Sequence, residues 1–101
     1  MRAQLVELPI IVDAAASQAL RDDLAARLTA HEGVRIGAGG VERIGTAGLQ
    51  ILWSAAASFQ RADLEFFVVG PSDAFLAAID DAALGRDVIL EIENTTDMAN
   101  G

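Results

Sequence analysis

Short runs rich in β-branched and aromatic residues alternate along this chain with longer segments of helical period, and few architectures accommodate that alternation. Gln4 to Leu8 mixes apolar and polar residues as a strand does, Pro9 interrupts it, and Ile10-Ile11-Val12 forms a second short run ending at Asp13. Over residues 16–31 Leu20, Leu24 and Leu28 recur every fourth position while Gln18, Asp22 and Thr29 face the other way, which predicts a helix. Either Asp13 or Ser17 can cap it, and Gly33 is expected to stop it. Residues 34–38 are a strand candidate containing Gly37, and Gly39-Gly40 marks a turn or a tight backbone approach. Residues 41–44 lead into Gly45-Thr46-Ala47-Gly48, where a second helix is expected over 46–61. Leu64 to Val69 reads as a buried strand closed by Gly70-Pro71. Ser72 caps a third helix over 72–83, with Asp73 in its first turn and Phe75, Leu76 and Ile79 on its core face. Gly85 ends that helix and residues 88–92 alternate like an edge strand.

The predicted fold is therefore α/β: a single domain with a central mixed sheet of four or five strands and about three helices packed against it. The domain is expected to occupy residues 1–93, followed by a polar, disordered tail at 94–101.

Composition narrows the chemistry. The absence of cysteine excludes disulfides, thiolate metal sites and a cysteine nucleophile, and a single histidine, His31, cannot build a multi-histidine site, so neither metal nor cofactor is expected. A formal net charge of -8 opposes nucleic-acid binding, which needs cations to replace phosphate counterions. The seven cations are all arginine and scattered, and no apolar run approaches the ~20 residues that span a bilayer. No signal-peptide core follows Met1, and the expected location is the cytoplasm without direct membrane insertion.

Two stretches go beyond pattern. Val41-Glu42-Arg43-Ile44-Gly45-Thr46-Ala47-Gly48-Leu49-Gln50 resembles the signature of STAS domains, the family of anti-sigma-factor antagonists. Val69-Gly70-Pro71-Ser72 before an apolar helix is similar to that family's strand-to-helix junction, and Asp13 matches an acidic position ahead of its first helix. The resemblance implies that Thr46 occupies the position phosphorylated by partner kinases in switching members. Gly45 stands where the family usually has aspartate, and Gly37 where the preceding strand often carries another acid. The implied partner is an anti-sigma-factor kinase or another ATPase-type protein, met by a monomer or weak dimer. Alternatives within the family are a STAS subunit of a bacterial phospholipid-transport ABC complex and a chemotaxis or other signalling STAS protein. The implied contact set is Asp13, Gly45, Thr46, Ala47, Gln50 and Trp53, with Gly45 and Gly48 admitting a partner's backbone.

Each of these residues also has a plainer reading. Thr46 just before a helix is an ordinary N-cap, and the same geometry would hold a phosphate on its hydroxyl. On the second helix Leu52, Ala55, Ala56 and Phe59 share the face that meets the sheet, whereas Thr46, Gln50, Trp53 and Ala57 fall on another line. Trp53 is either a core-boundary residue or a contact anchor. Gly37-Ala38-Gly39-Gly40 fails the dinucleotide pattern at Glu42 and lacks the lysine of a phosphate-binding loop. His31 reads as a partner of the first helix's C-terminal dipole, and Asp22-Asp23 and Asp80-Asp81 as solvated helix faces. No base, nucleophile and oxyanion donors combine, so a non-catalytic module is expected.

Overall fold

Parallel ladders organise the computed structural model, which describes residues 3–82. The elements are β1 (Gln4–Glu7), β2 (Ile11–Val12), α1 (Ala14–Thr29), β3 (Val34–Gly37), β4 (Arg43–Ile44), α2 (Thr46–Arg61), β5 (Phe66–Val69) and α3 (Asp73–Asp81). One sheet has the order β1-β3-β5, with Val6 opposite Ile36 and Ile36 opposite Val68. The second pairs β2 with β4, Val12 opposite Ile44.

The expected mixed sheet of four or five strands is not seen among the described residues. Among the described residues every pairing is parallel and the strands divide three and two. The cause of the division is local. Leu8 N–H extends the β1–β3 ladder by donating to Gly37 O (2.9 Å), and Pro9 then has no N–H to continue it. Ile10 C=O instead accepts from Glu42 N–H (2.8 Å) and Arg43 N–H (3.2 Å), which turns the next segment onto β4. Paired strands are joined only through helices, and such crossovers return the chain in the same direction.

One face of the larger sheet is dry. Val34, Ile36, Phe66 and Val68 are buried against the helices, where Phe59 and Phe66 meet with ring centroids 5.6 Å apart at 59°. Leu20 and Leu24 from α1, Leu49, Leu52 and Ala56 from α2, and Phe75 and Ile79 from α3 complete the core. The helical periods read from the sequence thus point inward as expected, with Leu28, Ala55 and Leu76 at the margin. The opposite face carries Leu5 and Arg35, both exposed. No helix among the described residues is long and apolar enough to cross a membrane.

Ser72 ties the last helix to the middle of the chain. Its hydroxyl accepts from Phe75 N–H (3.1 Å), capping α3, and donates to Val41 O (2.6 Å). Its own N–H donates to Ala38 O (3.0 Å), so the turn at 38–41 is held from two directions. The third helix therefore starts one residue later than expected, and its expected last residue, Ala83, the stop at Gly85, the strand at 88–92 and the tail at 94–101 all lie outside the described residues.

The first helix occupies 14–29 and not 16–31. Asp13 is its cap, accepting from Ala16 N–H through Oδ1 (2.9 Å), while Ser17 is buried inside the first turn. Nor does Gly33 end it. His31 adopts φ 59, its N–H donating to Leu28 O and that of Glu32 to Arg27 O, which closes the helix two residues earlier. His31 is thus an exposed turn residue beyond the helix, and Arg27 is the basic residue of the last turn. A left-handed backbone strains an L side chain, so His31→Gly should stabilise the fold by up to about 1 kcal/mol, the relief exceeding glycine's extra unfolded entropy. Differential scanning calorimetry should show a higher melting temperature; a lower one would refute the strain at His31.

Candidate functional site

The two longer helices begin side by side. Val12 and Ile44 are partners in the β2–β4 ladder, and the residues that follow them, Asp13 and Gly45, are the N-caps of α1 and α2. Gly45 N–H donates to Val12 O at 3.2 Å, which fixes one start against the other. Asp13, Gly45, Thr46 and Ala47 are all exposed at this end, with Gln50 one turn further along α2 and also exposed.

The two starts differ electrostatically. At α1 a carboxylate sits on the N-terminal N–H groups. At α2 the cap is glycine, no side chain accepts from the first turn, and that turn contains no acid. Its N-terminal N–H groups and positive dipole end therefore face outward without a side-chain counterpart.

Thr46 does not cap this helix, contrary to expectation. Gly45 has the extended backbone of a cap (φ -83, ψ 169), and Thr46 is already the first helical residue. A threonine one residue inside the helix cannot reach back over the free N–H groups as a cap does, so its hydroxyl is left at the surface. Trp53 lies two turns on, half-buried and packed against the core, and so carries the boundary role among its two readings.

Gly48 is buried and its closeness is internal, so it does not admit a partner's backbone as the sequence suggested. A Cβ there would lie 3.0 Å from Val12 Cγ1 and 3.1 Å from both Ile44 Cγ1 and Ser17 Oγ. At Gly37 the space of a side chain is taken by Glu7 from the neighbouring strand, whose Oε2 would stand 2.9 Å from an added Cβ. A carboxylate thus overlies position 37, supplied by β1. The contacts of Gly48 with Val12 and Ser17, and of Gly37 with Glu7, are not legible from spacing, because each joins residues about thirty or more apart in the chain.

Ser17 is 2% exposed and its hydroxyl has no hydrogen-bond partner among the described residues. Gly48→Ala should destabilise by about 1–3 kcal/mol, because three neighbours must move to admit one methyl group. Ser17→Ala should be neutral or stabilising by about 1 kcal/mol, since it removes an unpaired buried hydroxyl. Urea melts of both variants give the test; a tolerated Gly48→Ala would show that the helix starts can separate at little cost.

Comparison with known proteins gives an independent view of this arrangement. No curated protein matches the chain. The family described as Mlab, STAS domain, matches residues 2–91, which include every strand and helix above. STAS domains are generally non-catalytic interaction modules. The Gly-Thr-Ala-Gly-Leu helix start, the junction before α3 and the match over nine-tenths of the sequence agree: the chain belongs to the STAS domain family.

Proposed function

We propose that this protein is a cytoplasmic, non-catalytic regulatory module that docks on a partner protein through the start of α2, with an anti-sigma-factor kinase as the leading partner class and another ATPase as the broader one. The observation that carries this reading is the position of Thr46: exposed, first in its helix, beside a start that no side chain caps. Asp13, Gly45, Ala47 and Gln50 form the surrounding contact surface, and Trp53 supplies an edge at its rim.

The same site suits a charge switch. A phosphate on Thr46 brings about -1.5 to -2 charge. At a helix start with free N–H groups that charge is accommodated within the folded protein. A partner shaped for a neutral threonine would have to desolvate or oppose it, which is costly. Modification would therefore release the partner without unfolding the module.

A second reading, a STAS subunit of a phospholipid-transport ABC complex, is favoured by Gly45 and Gly37. Neither contributes a carboxylate of its own beside Thr46, and an unmodified threonine would serve there as a neutral contact to the ATPase. Affinity capture from the native host separates these: a small kinase-type ATPase supports the first, a transporter ATPase the second.

With the captured partner, Thr46→Glu should abolish binding in a calorimetric titration while leaving the thermal melt nearly unchanged. Thr46→Ala should retain binding and, because Thr46 is not the cap, should cost well below the ~1 kcal/mol of a lost cap. Trp53→Ala should weaken binding by about 2 kcal/mol if the indole touches the partner. Normal binding by Thr46→Glu would sink the switch.

A further inference from the structure

Between α1 and α2 runs a furrow of about 400 Å³. Its base is formed by Leu24 and Phe59, both buried, and its walls by Ala25, Leu28, Ile51 and Ala55. On α2 the lining extends from Ala47 to Phe59, a length of about 18 Å at the helical rise. The furrow therefore begins at the surface beside Thr46 and continues away from it along both helices.

Its charge is unlike that of the whole chain. The protein has 15 acidic residues against seven arginines, yet among the described residues no carboxylate lines the furrow. Among the described residues the one charged lining residue is Arg21, which follows Ser17 by one turn on α1 and so flanks the half near the helix starts. Its guanidinium is well exposed, with Nε 3.9 Å from the exposed Asp22 carboxylate. The nearby Asp23 is engaged elsewhere, accepting from Arg27 Nε at 2.9 Å. At the far end Arg61 Nη2 donates to Ser58 Oγ (3.4 Å), which draws a second guanidinium toward the furrow. An apolar channel of this length, with a cation near each end, complements one apolar ridge of a helix whose flanks are acidic.

We propose that the furrow seats an amphipathic helix of the partner protein, with apolar residues at i, i+4 and i+7 against Ala25, Leu28, Ile51 and Ala55 and carboxylates facing Arg21 and Arg61. The inference rests on the reading that the start of α2 is a docking surface, and it names the partner's recognition element. Three such residues span about 10 Å, which fits within the furrow.

The test uses the full chain, labelled with ¹⁵N, and two synthetic side-chain-stapled helical peptides. Both carry the same leucine ridge; one has glutamates at the two ends, the other lysines. The glutamate peptide should bind severalfold more tightly at about 0.15 M salt, where the distant acids are screened, with shift changes centred on Ala25, Leu28, Ile51 and Ala55. Arg21→Glu, at an exposed helical position and with Arg61 unchanged, should abolish the preference, and Ala25→Lys should weaken both peptides. Equal affinity of the two peptides, or shift changes on the β1-β3-β5 sheet, would overturn the proposal. So would concentration-dependent shifts of the same residues without peptide, because the occupant would then be a second copy of this chain. Should the captured partner be lost on Thr46→Glu yet bind Arg21→Glu normally and resist competition by the glutamate peptide, the furrow assignment fails and the docking reading stands. Glutamate-selective furrow binding with a partner indifferent to Thr46→Glu gives the reverse.

Discussion

Where the two helices begin, a side chain at Gly48 would press on three neighbours at once. Val12 and Ile44, the two partnered residues of the short ladder, and Ser17 from the first turn of α1 all close on the same point. That contact brings one strand pair and two helices to a common origin. The direction of each helix, the level of its first turn and the width of the channel between them follow from it. Interiors packed to crystalline density transmit such a constraint, because no compressible gap exists to absorb a misfit. Thr46 stands two residues from this point, so its placement depends on this junction even though the residue itself is exposed.

The paired starts also divide electrostatic labour. Asp13 gives α1 a side-chain acceptor, whereas the glycine cap leaves α2 to solvent or to whatever binds it. An uncapped start costs some helix stability, about 1 kcal/mol relative to a good cap. Packing of Leu49, Leu52, Ala56 and Phe59 offsets that cost within the same helix. The cap site of α2 is thus left open at a position where the rest of the helix can tolerate it.

Much of this was readable in the sequence, for identifiable reasons. The leucines of α1 and the apolar line of α2 repeat at the helical period over sixteen residues, long enough to fix both elements and their buried faces. The bounds of α2 followed from the family-like Thr-Ala-Gly-Leu start and from Arg61. Features set by a single backbone torsion were not readable. Whether Gly45 or Thr46 is the cap depends on one ψ angle, and side-chain type favours threonine. His31 in a left-handed turn leaves no compositional trace, and Gly33 two residues later was the more obvious stop. Asp13 and Ser17 were equivalent as caps until burial distinguished them. The split of the sheet required knowing which strand Ile10 would pair with after Pro9. The furrow depends on the spacing of two helices, and small residues such as Ala25 and Ala55 signal it only once those helices are adjacent.

The bonds of Ser72 carry a consequence for the order in which the molecule becomes competent. A ribosome releases the chain from its N-terminus, so Thr46 emerges with its own helix long before residue 72. Until then the turn at 38–41 lacks both of its anchors, Ala38 O and Val41 O having no Ser72 to meet, and β3 lacks β5 along one edge. A nascent chain of sixty residues therefore carries Thr46 on an unfinished scaffold. The last helix thus closes a turn laid down some thirty residues earlier, and the 38–41 segment reaches its final form only once residue 72 has joined it.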